Sequence, residues 1–147
     1  MRIAIASDHA GFTLKDELAA WLRDSGHVIL DLGTNGPESV DYPEFGARLA
    51  NAVASGEADR GVAVCGSGIG ISIAVNRNPH CRCARVDDPL SARLSREHND
   101  ANVIALGARI VGVELAKGCI EAFLATPFGG DRHVRRVAKL SKTPQDA

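Results

Sequence analysis

Aromatic side chains make up only 4% of this sequence, with one Trp, one Tyr and four Phe. So few rings leave little for unpaired bases to stack on, which argues against a single-strand binding surface. Net charge is almost absent as well: 17 Lys and Arg against 18 Asp and Glu leave −1, with a pI near 6.5. No overall field draws such a chain to nucleic acid, which is therefore not expected as a partner. The longest unbroken apolar run is Leu18 to Leu22, where a bilayer span needs about 20 residues. No membrane partner is expected either. The four cysteines, Cys65, Cys81, Cys83 and Cys119, form no C-x-x-C pair and no zinc-ligand spacing. No metal site is expected from them. A strand-like segment beginning at Arg2 leaves no stretch for a leader. Free thiols then point to a reducing compartment, so a cytoplasmic location is the expectation.

What remains is an ordinary globular composition, 147 residues with 45% hydrophobic and 24% charged. That length suits one domain, 1–147, with a sizeable core. Short β-branched or alanine-rich runs stand at Arg2–Ser7, His27–Leu32, Gly61–Cys65, Arg82–Asp87 and Asn102–Leu106. Segments of helical period lie between them. Leu14, Leu18, Trp21 and Leu22 share one helix face, as do Phe45, Leu49 and Val53. Pro43 suits a first helical turn. Leu90 and Leu94, then Leu115, Cys119 and Phe123, mark two more helices; Val134, Val137 and Ala138 mark a last one over about 131–142. Alternating β and α elements predict an α/β fold: a single-domain, doubly wound, five-stranded parallel sheet of Rossmann-like type with helices on both faces. In such sheets ligands bind beyond the carboxyl ends of the strands.

Three of those ends carry chemistry. The first ends in Ser7-Asp8-His9-Ala10-Gly11, the third in Cys65-Gly66-Ser67-Gly68-Ile69-Gly70, the fourth in Asp87-Asp88. Three alternating glycines let a backbone approach a ligand closely and aim amides at it. A helix start behind them adds the positive end of its dipole. This pattern suits a phosphate or a developing oxyanion. A tight turn alone would need one glycine rather than three. The Walker A pattern fails because no Gly-Lys-Ser/Thr follows, and the hydrolase elbow fails because position 65 is Cys. The dinucleotide fingerprint needs Gly at 71, where Ile stands, although Asp87 lies where a ribose-binding acid would sit.

Cys65 heads this loop. A cysteine ending a buried strand commonly serves as a small hydrophobe, but amides and a helix start around it favour the thiolate, a candidate base or nucleophile. The other three cysteines have no such surroundings and read as structural. His98 closes the fourth helix, where it can cap the carbonyl end or act as acid or base, since an imidazole exchanges protons at neutral pH. Arg132, His133, Arg135, Arg136, Lys139 and Lys142 make the C-terminal helix basic. Such a run is commonly a solvated face, yet Arg132 and Arg136 stand four apart and can hold a phosphate together.

Seven pieces in order, S-D-H-A-G-F-x-L-K at 7–15, D-Y-P at 41–43, C-G-S-G-I-G at 65–70, N-R at 76–77, S-R-E-H-N-D-A-N-V at 95–103, L-G-A-R at 106–109 and R-H-V-R-R at 132–136, resemble the type B ribose-5-phosphate isomerases. That family also includes galactose-6-phosphate isomerase subunits. The resemblance implies aldose–ketose isomerisation of ribose 5-phosphate to ribulose 5-phosphate through a cis-enediolate, without metal or cofactor, as in the pentose phosphate pathway. It assigns Cys65 as the proton-transferring base and Gly66, Ser67, Gly68, Ile69 and Gly70 as the enediolate-stabilising loop. It assigns His98 to ring opening, Asn99, Asp8 and His9 to sugar binding, and Arg109, Arg132 and Arg136 to the phosphate. Ser67 stands where other members have Thr, and Ile71 where one branch has Glu. Arg85 stands where an apolar strand residue is expected. The resemblance also implies a homodimer or homotetramer with sites between subunits. Alternatives are a 6-phosphohexose isomerase, acting for example on allose 6-phosphate, and a non-catalytic phosphosugar-binding protein.

Overall fold

In the computed structural model, residues 1–142 are described; residues 143–147, the last of the expected 1–147 domain, lie outside them. Five strands, β1 (Arg2–Ser7), β2 (Val28–Asp31), β3 (Arg60–Cys65), β4 (Cys83–Arg85) and β5 (Val103–Gly107), form one sheet in the order β2-β1-β3-β5-β4. Every pairing is parallel. The doubly wound α/β expectation therefore holds. The chain skips a place after β3, sets β4 at the edge and returns to insert β5 beside β3.

Six helices connect or follow the strands: α1 (Phe12–Asp24), α2 (Tyr42–Ala54), α3 (Ile69–Asn76), α4 (Pro89–Asn99), α5 (Val113–Ala125) and α6 (Arg132–Leu140). Strand alternation divides the core between the two faces. Ile3, Ile5, Val62, Val64, Ile104 and Leu106 meet α1, α4 and α5. Ala4, Ala6, Ala63, Cys65, Val103 and Ala105 meet α2 and α3. The second face is built mainly from small residues, so α2 and α3 approach closely.

Several boundaries differ from the sequence reading. The fourth strand is only Cys83–Arg85 rather than Arg82–Asp87. Asp87 thus lies beyond the strand, and Asp88 after it caps α4, accepting hydrogen bonds from the Ser91 amide at 2.7 Å and the Ser91 hydroxyl at 2.8 Å. Leu90, Leu115 and Val134 lie on exposed faces; small residues, Ala92 in α4 and Ala116 in α5, turn inward instead. The last helix is shorter than 131–142, and its one buried residue is His133.

Candidate active site

The carboxyl ends of β1, β3 and β5 meet at one edge of the sheet. Cys65 ends β3 with 4% of its surface exposed, and its Sγ accepts the Gly68 amide hydrogen at 3.1 Å. The Ser67 hydroxyl accepts from the Ile69 amide at 3.1 Å. Gly68 sits at φ +77°, with a Cβ position 2.8 Å from the Leu106 carbonyl carbon, so only glycine fits there. This left-handed turn lets α3 begin directly behind the loop. The next amides, Gly70 and Ile71, lack intrahelical partners because they lie in the first turn.

Neighbouring segments complete this half of the site. Ala108 donates its amide to the Cys65 carbonyl at 2.9 Å and Arg109 to that of Gly66 at 3.0 Å. These bonds bring the Arg109 guanidinium against Gly66, where a Cβ would lie 3.1 Å from its nitrogen. Asp8 is buried and accepts from the Gly11 amide at 3.0 Å. The His9 Nδ1 accepts the Val40 amide at 3.1 Å, so a neutral His9 carries its proton on Nε2. Two further residues stand here that the sequence reading gave no role. The Tyr42 ring lies against Gly70. Arg85 donates from Nε to the Ser67 carbonyl at 2.9 Å and pairs with Asp87 at 2.7 Å. The charge on an otherwise apolar strand is thereby explained: it serves the glycine loop. A basic residue ending an otherwise apolar strand was the available signal; in the sheet it stands in register with small Ala105.

The remaining expected residues gather elsewhere. α4 starts beyond the end of β4 and runs back, so His98 and Asn99 lie toward the start of β5. Cys65 pairs in register with Gly107, at the other end of that strand. Four residue steps of a strand separate the two levels by about 13 Å. Within one chain, then, His98 and Asn99 do not meet Cys65. They meet α6 instead. The rings of His98 and His133 stack with centroids 4.6 Å apart and planes 19° from parallel. A shallow cleft of about 330 Å³ beside them is lined by Glu97, His98, Arg132 and His133, and a neighbouring one of about 300 Å³ by His98, Asn99 and Arg136. Arg132 and Arg136 are exposed, and neither makes an ion pair among the described residues. Burial, aided by Arg132, His98 and Arg136, holds the His133 imidazole below its ordinary value. Arg109 thus stands with the thiol, apart from the other two arginines.

The other thiols differ from Cys65 in surroundings. Burial pushes those of Cys81 and Cys83 up, and that of Cys119 up to about 11. All four cysteines are free. Among the described residues no group of three or more His, Cys, Asp or Glu is placed to hold a metal ion, and no helix is long and apolar enough to cross a membrane.

Residues 3–140 match the family model described as Ribose/Galactose Isomerase. Ribose-5-phosphate isomerase B of Escherichia coli is 45% identical over 144 residues, 98% of this chain and 97% of that protein. Among solved structures, ribose-5-phosphate isomerase B of Clostridium thermocellum superposes with a TM-score of 0.95 at 51% identity, covering 96% of this chain and 95% of that one. That of Mycoplasma genitalium, with bound ribulose-5-phosphate, gives 0.94 at 34% identity, covering 99% and 97%. The match spans both halves of the site and all five strands between them, and so this chain belongs to the ribose/galactose isomerase family.

Proposed function

We propose that this protein is an aldose–ketose isomerase that interconverts D-ribose 5-phosphate and D-ribulose 5-phosphate. The observation that carries the reading is the Cys65 sulfur, hydrogen-bonded by Gly68 within a glycine loop that also offers the Ser67 hydroxyl and helix-start amides. Cys65, as thiolate, removes the proton from C2 of the open-chain aldose and returns it to C1. The electron pair passes through a cis-enediolate whose oxygens face Ser67 and the loop from Gly66 through Gly68 and Ile69 to Gly70. No hydride or electron leaves the sugar, so the reaction calls on no redox carrier, and no step requires a metal. His98 opens the furanose as acid and base: it takes the proton of the C1 hydroxyl and delivers it to the ring oxygen as the bond from C1 to that oxygen breaks and the aldehyde forms. Asp8, His9 and Asn99 bind the sugar hydroxyls, and Arg109, Arg132 and Arg136 bind the phosphate.

The division of these residues between two ends of one sheet supports a homo-oligomer, a homodimer or a pair of dimers. In it one protomer supplies Cys65, the loop and Arg109, and its partner supplies His98, Asn99, Arg132 and Arg136. Apolar residues exposed beside each half, Ile69 and Ile73 on α3 and Val134 and Leu140 on α6, supply surface for such an assembly. A phosphorylated pentose and free thiols suit the cytoplasm and the pentose phosphate pathway.

Cys65→Ala tests the chemistry. Isomerisation of ribose 5-phosphate and solvent deuterium exchange at C2 should both fall by about 10²–10⁴-fold or more, while phosphate still binds. Exchange at the wild-type rate would assign the base to another group.

A further inference from the structure

The Ser67 carbonyl and the Gly68 amide belong to one peptide unit, and its two ends are engaged in opposite directions. Its oxygen accepts the Arg85 Nε hydrogen at 2.9 Å, and its N–H points at the Cys65 sulfur 3.1 Å away. We propose that Arg85 is a positioning residue for the reaction, holding and polarising the Ser67–Gly68 peptide so that its N–H stabilises the Cys65 thiolate. This inference rests on the reading of Cys65 as the base.

Three features of the fold make the link possible. Arg85 lies on the α2/α3 face of edge strand β4, in register with Ala105. That methyl leaves room for a long side chain to cross β5. At the end of β5, Gly107 lets the Ser67 carbonyl come close; a Cβ there would lie 2.6 Å from it. Asp87, two residues on, takes the Arg85 Nη1 at 2.7 Å and fixes the guanidinium fork. A cation donating to a peptide oxygen withdraws charge through the amide and strengthens its N–H as a donor. A stronger donor at the sulfur favours the charged form of the thiol. Arg85 would thus reach the base through one peptide bond without touching substrate.

The test compares Arg85→Met, Arg85→Lys and Asp87→Asn in the full chain, by steady-state kinetics and by alkylation of Cys65 with iodoacetamide at neutral pH. Peptide mass spectrometry follows Cys65, and each rate is referred to that of the same urea-unfolded variant. Alkylation discriminates by sign. A loop merely loosened would expose the nearly buried Cys65 and speed its reaction, whereas a weakened thiolate slows it. In Arg85→Met, alkylation and kcat should both fall by about three- to tenfold, the scale of one polarised hydrogen bond, with KM nearly unchanged. Arg85→Lys should recover part of the loss, and Asp87→Asn should show a smaller loss of the same kind. Unchanged or faster alkylation in both Arg85→Met and Asp87→Asn would overturn the proposal. So would a rise in KM at constant kcat, which would place Arg85 on the substrate. The alkylation result stands even if Cys65→Ala proves active, so failure of this link and failure of Cys65 as base are told apart.

Discussion

Lys15 has no exposed surface, yet its ammonium contacts both oxygens of Asp31 at 2.7 and 2.9 Å, Asp16 at 2.8 Å and the Asn35 side-chain oxygen at 3.3 Å. These bonds tie α1 to the end of β2 and to the loop over 33–41, whose Val40 holds His9. Removing the cation would leave Asp31 largely buried and unpaired. Lys15→Met should therefore lower stability on the order of 3 kcal/mol, read from urea unfolding. It should also release the loop, so that the His9 ring resonances broaden or shift. A variant as stable as the parent would show that the cluster is solvated after all. Gly68 is a second residue whose identity is set by geometry. Gly68→Ala must strain a backbone at φ +77° and drive a methyl into β5. The expected result is a folded protein with the Gly68 amide displaced from Cys65 and kcat reduced more than KM is raised.

Between elements, the informative pair is α4 with α6. Their contact sets His98 against His133 and places Arg132 and Arg136 one turn apart beside it. Neither arginine touches the thiol half, so each should act on binding alone. Arg132→Ala and Arg136→Ala should raise KM for ribose 5-phosphate by about ten- to a hundredfold, with kcat nearly constant. If neither changes KM, the helix is a solvated face. The same cluster predicts proton linkage. Burial and the neighbouring cations hold the His133 imidazole low, so it is mostly neutral at pH 7. A phosphate beside Arg132 and Arg136 offsets those cations and favours protonation of His133. Its NMR titration midpoint should therefore move to higher pH when inorganic phosphate is added, and phosphate binding should take up protons. A midpoint indifferent to phosphate would separate this cluster from the anion site.

For the whole molecule, the proposed sharing of each site between two protomers has a direct test. Cys65→Ala and His98→Asn should each be inactive when prepared alone. In a mixed dimer, one site combines both defects and the other combines two intact halves. Unfolding and refolding an equimolar mixture should thus restore about a quarter of the parental activity if pairing is random. Either variant refolded alone should restore none. Sites confined to single chains would give no recovery in the mixture, and the shared-site arrangement would be withdrawn.

The alternation of β-branched runs with helical periods was enough to read the α/β class and most element positions, because burial on both sheet faces leaves strands almost without polar residues. Glycine spacing behind Cys65 likewise marked a loop of close approach: a Cβ at Gly68 would meet the β5 backbone and one at Gly70 the Tyr42 ring. The sequence was a poor guide to which leucines and valines face inward. Leu90, Leu115 and Val134 fit a helical period but point outward: where the sheet face already carries Ile, Val and Leu, Ala92 and Ala116 fill the inner side of α4 and α5, and α6 turns His133 inward. It also left Arg85 unexplained, as that charge makes sense only beside Ser67, eighteen positions away in sequence and reached across the inserted strand β5. Above all, the motifs and the resemblance they carry put Cys65, His98 and Asn99 into one expected set without placing them in space. Strand direction made the division: a helix returning along a parallel sheet carries its C-terminal residues, His98 and Asn99, to the end opposite Cys65.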